Sequence, residues 1–213
     1  MTNHLSTHLL LNIGMLALFG AAASIHAKPM DAEAAKKIPE LKAVLLNVRE
    51  NGRLFSQDRA VVEENLAGGD PVLVSVAACV LAESKEVETS LCAKAEDALK
   101  KAEAMPQAFI RLMLAKKRSE GTKTAERIAT IEPLLKDANP YLQVEAAKEL
   151  FKNNARKGED ALRTLLSGAS PIAKGEAFRQ LHKIGKAGNA VPAPMPDERY
   201  ELLLSIIETA KKK

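Results

Sequence analysis

Leu134-Leu135-Lys136-Asp137-Ala138-Asn139-Pro140 runs straight into Val144-Glu145-Ala146-Ala147 and Leu150, and the reading of this stretch decides the fold. Two leucines close one helical segment, and a short polar turn follows. Asn139 stands where a side-chain oxygen can accept from the free N–H groups of a new helix. Pro140 suits the first turn of that helix, because its missing N–H has no helical partner there. The apolar residues beyond it recur at helical spacing. The same grammar returns in Leu165-Leu166-Ser167-Gly168-Ala169-Ser170-Pro171, which leads into Ala177-Phe178 and Leu181. It returns again in Leu66 and Ala67-Gly68-Gly69-Asp70-Pro71.

Working outward, Pro39, Pro71, Pro106, Pro140 and Pro171 are spaced by 32, 35, 34 and 31 residues, a period that marks repeated structural units. Two residues after each proline lies Leu41, Leu73, Ala108, Leu142 or Ala173. Six after lies Leu45, Ala77, Leu112, Ala146 or Ala177, and seven after lies Leu46, Ala78, Met113, Ala147 or Phe178. Leu81, Leu150 and Leu181 extend the row at the tenth position. These offsets share one helix face, and the alanines at its centre let neighbouring helices approach closely. Each unit is therefore helix, tight turn, Pro-started helix and loop. Its apolar face needs the next unit to cover it, so the units stack.

The composition agrees. Of 213 residues 46% are apolar, only 3% are aromatic and there is no Trp. Strands favour aromatic and β-branched side chains, whereas this chain is rich in Ala, Leu, Lys and Glu, which favour helices.

The pattern resembles the HEAT and HEAT-like repeat family over roughly residues 39 to 185, most clearly in the Leu134–Pro140 and Leu165–Pro171 stretches. It departs from the family in lacking an arginine shortly after the prolines: Lys42, Val74, Phe109, Gln143 and Lys174 stand there instead. The resemblance implies an all-α, right-handed α-solenoid of about four to five helical hairpins, in which the second helix of each unit lines a concave surface. An irregular helical bundle is the alternative.

The ends read differently. Leu9 to Ala23 is an apolar stretch followed by Ala21, Ala22, Ala23 and Ile25-His26-Ala27. Its length fits a signal-peptide core better than the ~20 residues needed to span a bilayer. Residues 1–27 are thus expected to be a signal peptide cleaved after Ala27, or else after Ala23, although they contain no Lys or Arg. An uncleaved membrane anchor is the competing reading. The repeat domain is placed at 28–185, a Gly/Pro-rich linker at 186–196 and a C-terminal capping helix at 197–213. Leu202, Leu203, Ile206 and Ile207 would form the stripe of that helix, and the three final lysines would suit its dipole.

Chemistry is sparse. Beyond the leader His182 is the single histidine, which excludes a three-His zinc site. No phosphate-binding glycine loop or GxSxG motif occurs. Acidic pairs such as Glu63-Glu64 and Glu96-Asp97 read as solvated helix faces. No catalytic, cofactor-binding or metal-binding residue is expected, and no cofactor. Cys79 and Cys92 flank a loop at equal depth on successive helices, so a disulfide is a candidate, as disulfides persist in exported proteins; two free core thiols are the alternative. The helix at 72–82 is apolar on all sides apart from Ser75 and requires cover, for which the N-terminal helix at 39–50 is the expected source.

Charge divides unequally. Residues 28–105 carry 11 basic and 14 acidic groups (net −3), and residues 106–213 carry 20 and 13 (net +7). Lys148, Lys152, Arg179 and Lys183 fall eight and twelve residues after their prolines, and Arg118 twelve after Pro106. On the concave surface implied by the resemblance, these five would form a basic stripe and a candidate partner-binding surface. The expected function is a non-catalytic, exported, periplasmic scaffold that binds a protein. An accessory or regulatory subunit of an exported enzyme assembly, and a module binding an acidic protein or polyanion through the stripe, are the alternatives. Export makes nucleic acid an unsuitable ligand, and no membrane span is expected once the signal is removed.

Overall fold

The computed structural model describes residues 30–188 and 195–210. The signal-peptide reading of 1–27, most of the linker and the terminal lysines lie outside the described residues. Those described are helical throughout, with no strand among them. The helices are α1 (Ala32–Asn51), α2 (Ser56–Ala67), α3 (Pro71–Glu83), α4 (Thr89–Leu99), α5 (Ala104–Arg118), α6 (Thr124–Ile131), α7 (Pro140–Asn153), α8 (Ala155–Leu166), α9 (Pro171–Lys183) and α10 (Glu198–Thr209). A 3-10 turn at Glu132–Lys136 extends α6.

The prolines at 71, 140 and 171 begin their helices, and each is preceded by a working cap. Asp70 accepts from the N–H groups of Val72 and Leu73 at 2.9 and 3.1 Å. Asn139 accepts from Tyr141 and Leu142, and Ser170 from Ala173. Pro106 lies in the first turn of α5. Pro39 differs from its expected role: it sits inside α1, which starts seven residues earlier at a cap formed by Asp31. Ala32 to Lys37 are strong helix formers, and nothing before Pro39 stops them. The exposed proline is carried in the helix with one backbone hydrogen bond lost.

The helices form two layers. In the inner layer α1 packs on α3, α3 on α5, α5 on α7 and α7 on α9. The outer helices α2, α4, α6 and α8 each pack on the inner helix that follows them, giving four stacked hairpins. All ten residues expected at the second and sixth positions after the prolines are buried. Ala77, Ala108, Ala146 and Ala177 are fully enclosed, as close inner-layer packing requires. A glycine serves the α7–α8 crossing: a Cβ on Gly158 would stand 2.2 Å from the Cα of Phe151.

The last helix does more than cap an end. α10 returns to the open face of the inner layer and packs on α3 and α1. Its N-cap, Asp197, falls where the sequence placed it, accepting from the N–H groups of Arg199 and Tyr200. The stripe is shifted from expectation. Tyr200, Leu203, Leu204 and Ile206 are buried and Ile207 partly so, while Leu202 is exposed. Tyr200 fixes this register by wedging between Phe109 and Tyr141, with ring centroids 6.4 and 5.0 Å away.

Candidate functional site

The open face of the inner layer, with α10 seated on it, gathers both of the buried charged side chains among the described residues, Glu145 and Glu176. On α7 and α9 the fifth residue after the proline is a glutamate, Glu145 or Glu176, and the eighth is a base, Lys148 or Arg179. The helical spacing brings each acid to its own base: Lys148 lies 2.7 Å from Glu145, and Arg179 lies 2.6 Å from Glu176. Helix packing then joins the pairs, with Lys148 also 3.1 Å from Glu176. Arg179 reaches on to Glu208 of α10 at 2.9 Å, and Lys183 pairs with that same carboxylate. Charges thus alternate in sign from α7 across α9 to α10. Tyr200 closes the circuit by donating to Glu145 at 2.7 Å.

Glu176 is wholly enclosed, and Gln180 donates to it as well. Burial pushes its pKa up, but Lys148 and Arg179 overcome this and hold it below the usual carboxylate value. Burial depresses Lys148, and Glu145 and Glu176 more than restore it, so its pKa is raised. The hydroxyl pKa of Tyr200 is raised by burial first, then by Glu145 and Glu176.

A second polar clamp grips the end of α10. Arg49 of α1 makes two 2.6 Å bonds to Glu83 of α3 and donates to the backbone carbonyls of Ile207 and Ala210. Those carbonyls belong to the last turn and lack helical donors, and a cation suits that end of the dipole. At the other end the Tyr141 hydroxyl donates to Asp197.

Beside α10 the face keeps a half-open cavity of about 400 Å³. Leu204 and Ile207 form one wall, Cys79, Phe109 and Leu112 supply an apolar surface, and Lys116 and Lys152 stand opposite. Both lysines pair with Glu149, at 3.4 and 3.1 Å.

The stripe expected from the sequence therefore divides. Lys148, Arg179 and Lys183 are brought together and spent largely on the protein's own carboxylates. Lys152 is paired but mostly exposed. Arg118 is exposed at the end of α5, in no ion pair among those described. Glu145, Glu149 and Glu176 escaped the sequence reading, although each lies three residues before a stripe base. Arg49, Tyr200 and Glu208 gave no local signal.

The candidate bridge is not formed: Cys79 and Cys92 are both free thiols. Cys79 faces α10 from the inner layer, whereas Cys92 lies on outer helix α4. The helices packed on α3 are α1, α2, α5 and α10, while α4 packs on α2 and α5, so succession in the chain did not make α3 and α4 partners. Burial, then Glu83 and Glu145, push the Cys79 thiol up to about 12, which leaves it a poor nucleophile at neutral pH. The helix at 72–82 is covered as its composition demanded, by α1, α2, α5 and α10 together rather than by α1 alone. The acidic pairs lie on exposed or half-buried helix surfaces, Glu63 with Arg59 and Lys94, and Asp97 with Lys100. His182 is exposed.

Among the described residues no group of three His, Cys, Asp or Glu side chains is placed to hold a metal ion, and no helix is long and apolar enough to cross a membrane. Compared with known proteins, the chain matches no family model, no curated protein and no solved structure.

Proposed function

We propose that this chain is a non-catalytic, HEAT-like repeat scaffold that binds a protein partner and is exported to the bacterial periplasm behind a cleaved signal peptide. The observation that supports it most is the seating of α10. The open face receives an amphipathic helix through an apolar stripe, a buried hydroxyl and charged groups at set positions, which is the helix-in-groove mode of protein recognition. The pairing of its cations with carboxylates favours a protein over a polyanion, because a neutralised row of charges projects little attractive field.

The test is affinity capture with the full chain from its native host, combined with the intact mass of the native protein. A reproducible protein partner and a mass beginning at Lys28, or at Ser24, are expected. A mass retaining Met1–Ala27 overturns the export reading. Capture of nothing but nucleic acid or another polyanion overturns the scaffold reading, and so does capture of nothing at all. A partner that arrives within a larger enzyme assembly would mark the chain as its accessory subunit.

A further inference from the structure

The contacts that stack the repeats, α1 on α3, α3 on α5, α5 on α7 and α7 on α9, do not pass through α10. α10 is the last described helix, and residues 185–196 that lead to it include two glycines, at 185 and 188, and prolines at 192, 194 and 196. It docks through a defined code. Tyr200 donates to Glu145. Leu203, Leu204 and Ile207 follow at three, four and seven residues, the spacing of one helix face. Glu208, at eight, meets Arg179 and Lys183. The helix then ends, so that Arg49 can take its free carbonyls. The code is incompletely satisfied, because the cavity of about 400 Å³ remains between α10 and the face.

We infer that the open face of the inner layer is the docking groove for an amphipathic helix of a partner protein, and that α10 occupies this groove in cis until such a helix displaces it. The inference rests on the scaffold reading and names the chemistry of the partner. An identical α10 from a second copy is at a disadvantage, because a tethered helix acts at an effective concentration in the millimolar range for a short linker. A helix that wins must fit better than α10, and the cavity shows where. Its side chains at the positions of Leu204 and Ile207 are bulkier, it carries a carboxylate at the position of Glu208, and it ends at Arg49.

The test uses the full chain and labelled synthetic peptides of residues 195–210. The unaltered peptide, one carrying Ile207→Phe and one carrying Glu208→Lys are titrated onto wild-type protein and onto protein carrying Glu208→Lys, whose helical content is verified by circular dichroism. Weakening α10 in cis is expected to tighten peptide binding at least tenfold. The Ile207→Phe peptide should bind at least tenfold tighter than the unaltered one, and the Glu208→Lys peptide at least tenfold weaker. Hydrogen exchange of wild type should show the α10 amides opening at least tenfold more readily than those of α3 and α7. Absence of peptide binding to the folded Glu208→Lys protein overturns the inference, and so does α10 exchange that occurs only together with α3 and α7. A dimer that exchanges α10 between copies and excludes every peptide overturns it in favour of a second copy. Peptide binding needs no native partner. A partner captured in the host that the peptides do not compete away would therefore defeat this inference while leaving the scaffold reading intact.

Discussion

Helices α3 and α9 begin in the same way, with a capping side chain, a proline and a shared register of buried positions, yet they carry opposite chemistry. At the fifth, eighth and twelfth residues after its proline α3 has Val76, Cys79 and Glu83, whereas α9 has Glu176, Arg179 and Lys183. The difference follows from what covers them. α3 lies beneath α1, α2, α5 and α10, and only apolar side chains tolerate cover from every side without partners. α9 is the last inner helix, and its charged positions meet Lys148 of α7 and Glu208 of α10. One repeat register thus serves a dry joint in one place and an ionic latch in another. The position in the stack, not the register, decides which.

The comparison breaks most sharply if α9 receives the residue that α3 has. Glu176→Val strips a fully buried partner from Lys148 and Arg179. Lys148 keeps Glu145 and Arg179 keeps Glu208, so the loss should be about 3 kcal/mol, the lower end of what breaking a buried ion pair costs, read as a lower midpoint in urea unfolding. Adding Lys148→Met should not recover that loss, because it takes from buried Glu145 the cation 2.7 Å away and leaves it only the Tyr200 hydroxyl. A single variant as stable as wild type would mean that the latch is water-filled and not enclosed.

The position six residues after the proline is small in α3, α7 and α9 alike, and filling it tests what the helices share. Ala146 is fully buried between its neighbours. Ala146→Phe should destabilise by ~1–3 kcal/mol through overpacking, measured by thermal unfolding. A neutral substitution would refute the close inner-layer contact.

These shared positions were legible in the sequence because they depend only on local spacing. All residues two and six after the prolines are buried as their periodicity required, and three of the caps act as expected. What stayed illegible depends on distant contacts. A solvated glutamate and a buried one look alike in sequence, so Glu145 and Glu176 passed unnoticed beside Lys148 and Arg179. α10 reads as an end cap because nothing local announces that Arg49 will meet the carbonyl of Ala210, 161 residues away. The slip in its stripe, Leu202 in place of Leu204, has the same origin: Tyr200 sets the register by wedging against Phe109 and Tyr141.

Acid should separate the two regions. Glu176 has a folded pKa below its ordinary 4.5, and so has Glu208, where burial is overcome by Lys183 and Arg179. Their contribution is complete above that ordinary value and is lost as pH falls through the depressed one. Lys148, raised above its ordinary 10.5, contributes fully below that value and less at higher pH. The latch is therefore whole between about 4.5 and 10.5. From Pro71 to Ala82 the only ionisable side chain on α3 is the thiol of Cys79, which stays protonated throughout. The chain has two tyrosines and no Trp, and both tyrosines lie where α10 docks. Tyrosine fluorescence should therefore change at a higher pH than helical circular dichroism during acid titration. Coincident transitions would show that the latch and the dry joint are one cooperative unit.

The caps offer a smaller contrast. Asp70 satisfies two N–H groups of α3, and Ser170 one of α9 at 3.3 Å. Cap removal costs about 0.5–2 kcal/mol. Asp70→Ala should fall in the upper part of that range and Ser170→Ala in the lower part, in parallel urea titrations. The reverse order would mean that burial of α3, rather than its cap, holds its first turn in place.

The smallest effect belongs to the one residue that departs from the apolar character of α3 between Val72 and Ala82. Ser75 is fully buried, and its hydroxyl donates to the carbonyl of Pro71 at 2.6 Å. That carbonyl belongs to the residue four positions earlier and also accepts the helical N–H of residue 75, so removing the hydroxyl leaves no acceptor orphaned. Alanine is the better helix former, and local back-bonding of this kind slightly disfavours a helix. Ser75→Ala should therefore change stability by less than about 0.5 kcal/mol, whereas Glu176→Val on the matching face of α9 costs several times more. Both groups are enclosed and hydrogen-bonded. They differ in whether the partner belongs to the same helix turn or to a charge on another helix that cannot be left alone. A loss above about 2 kcal/mol for Ser75→Ala, outside the usual net worth of one neutral hydrogen bond, would show that α3 is tuned for more than packing.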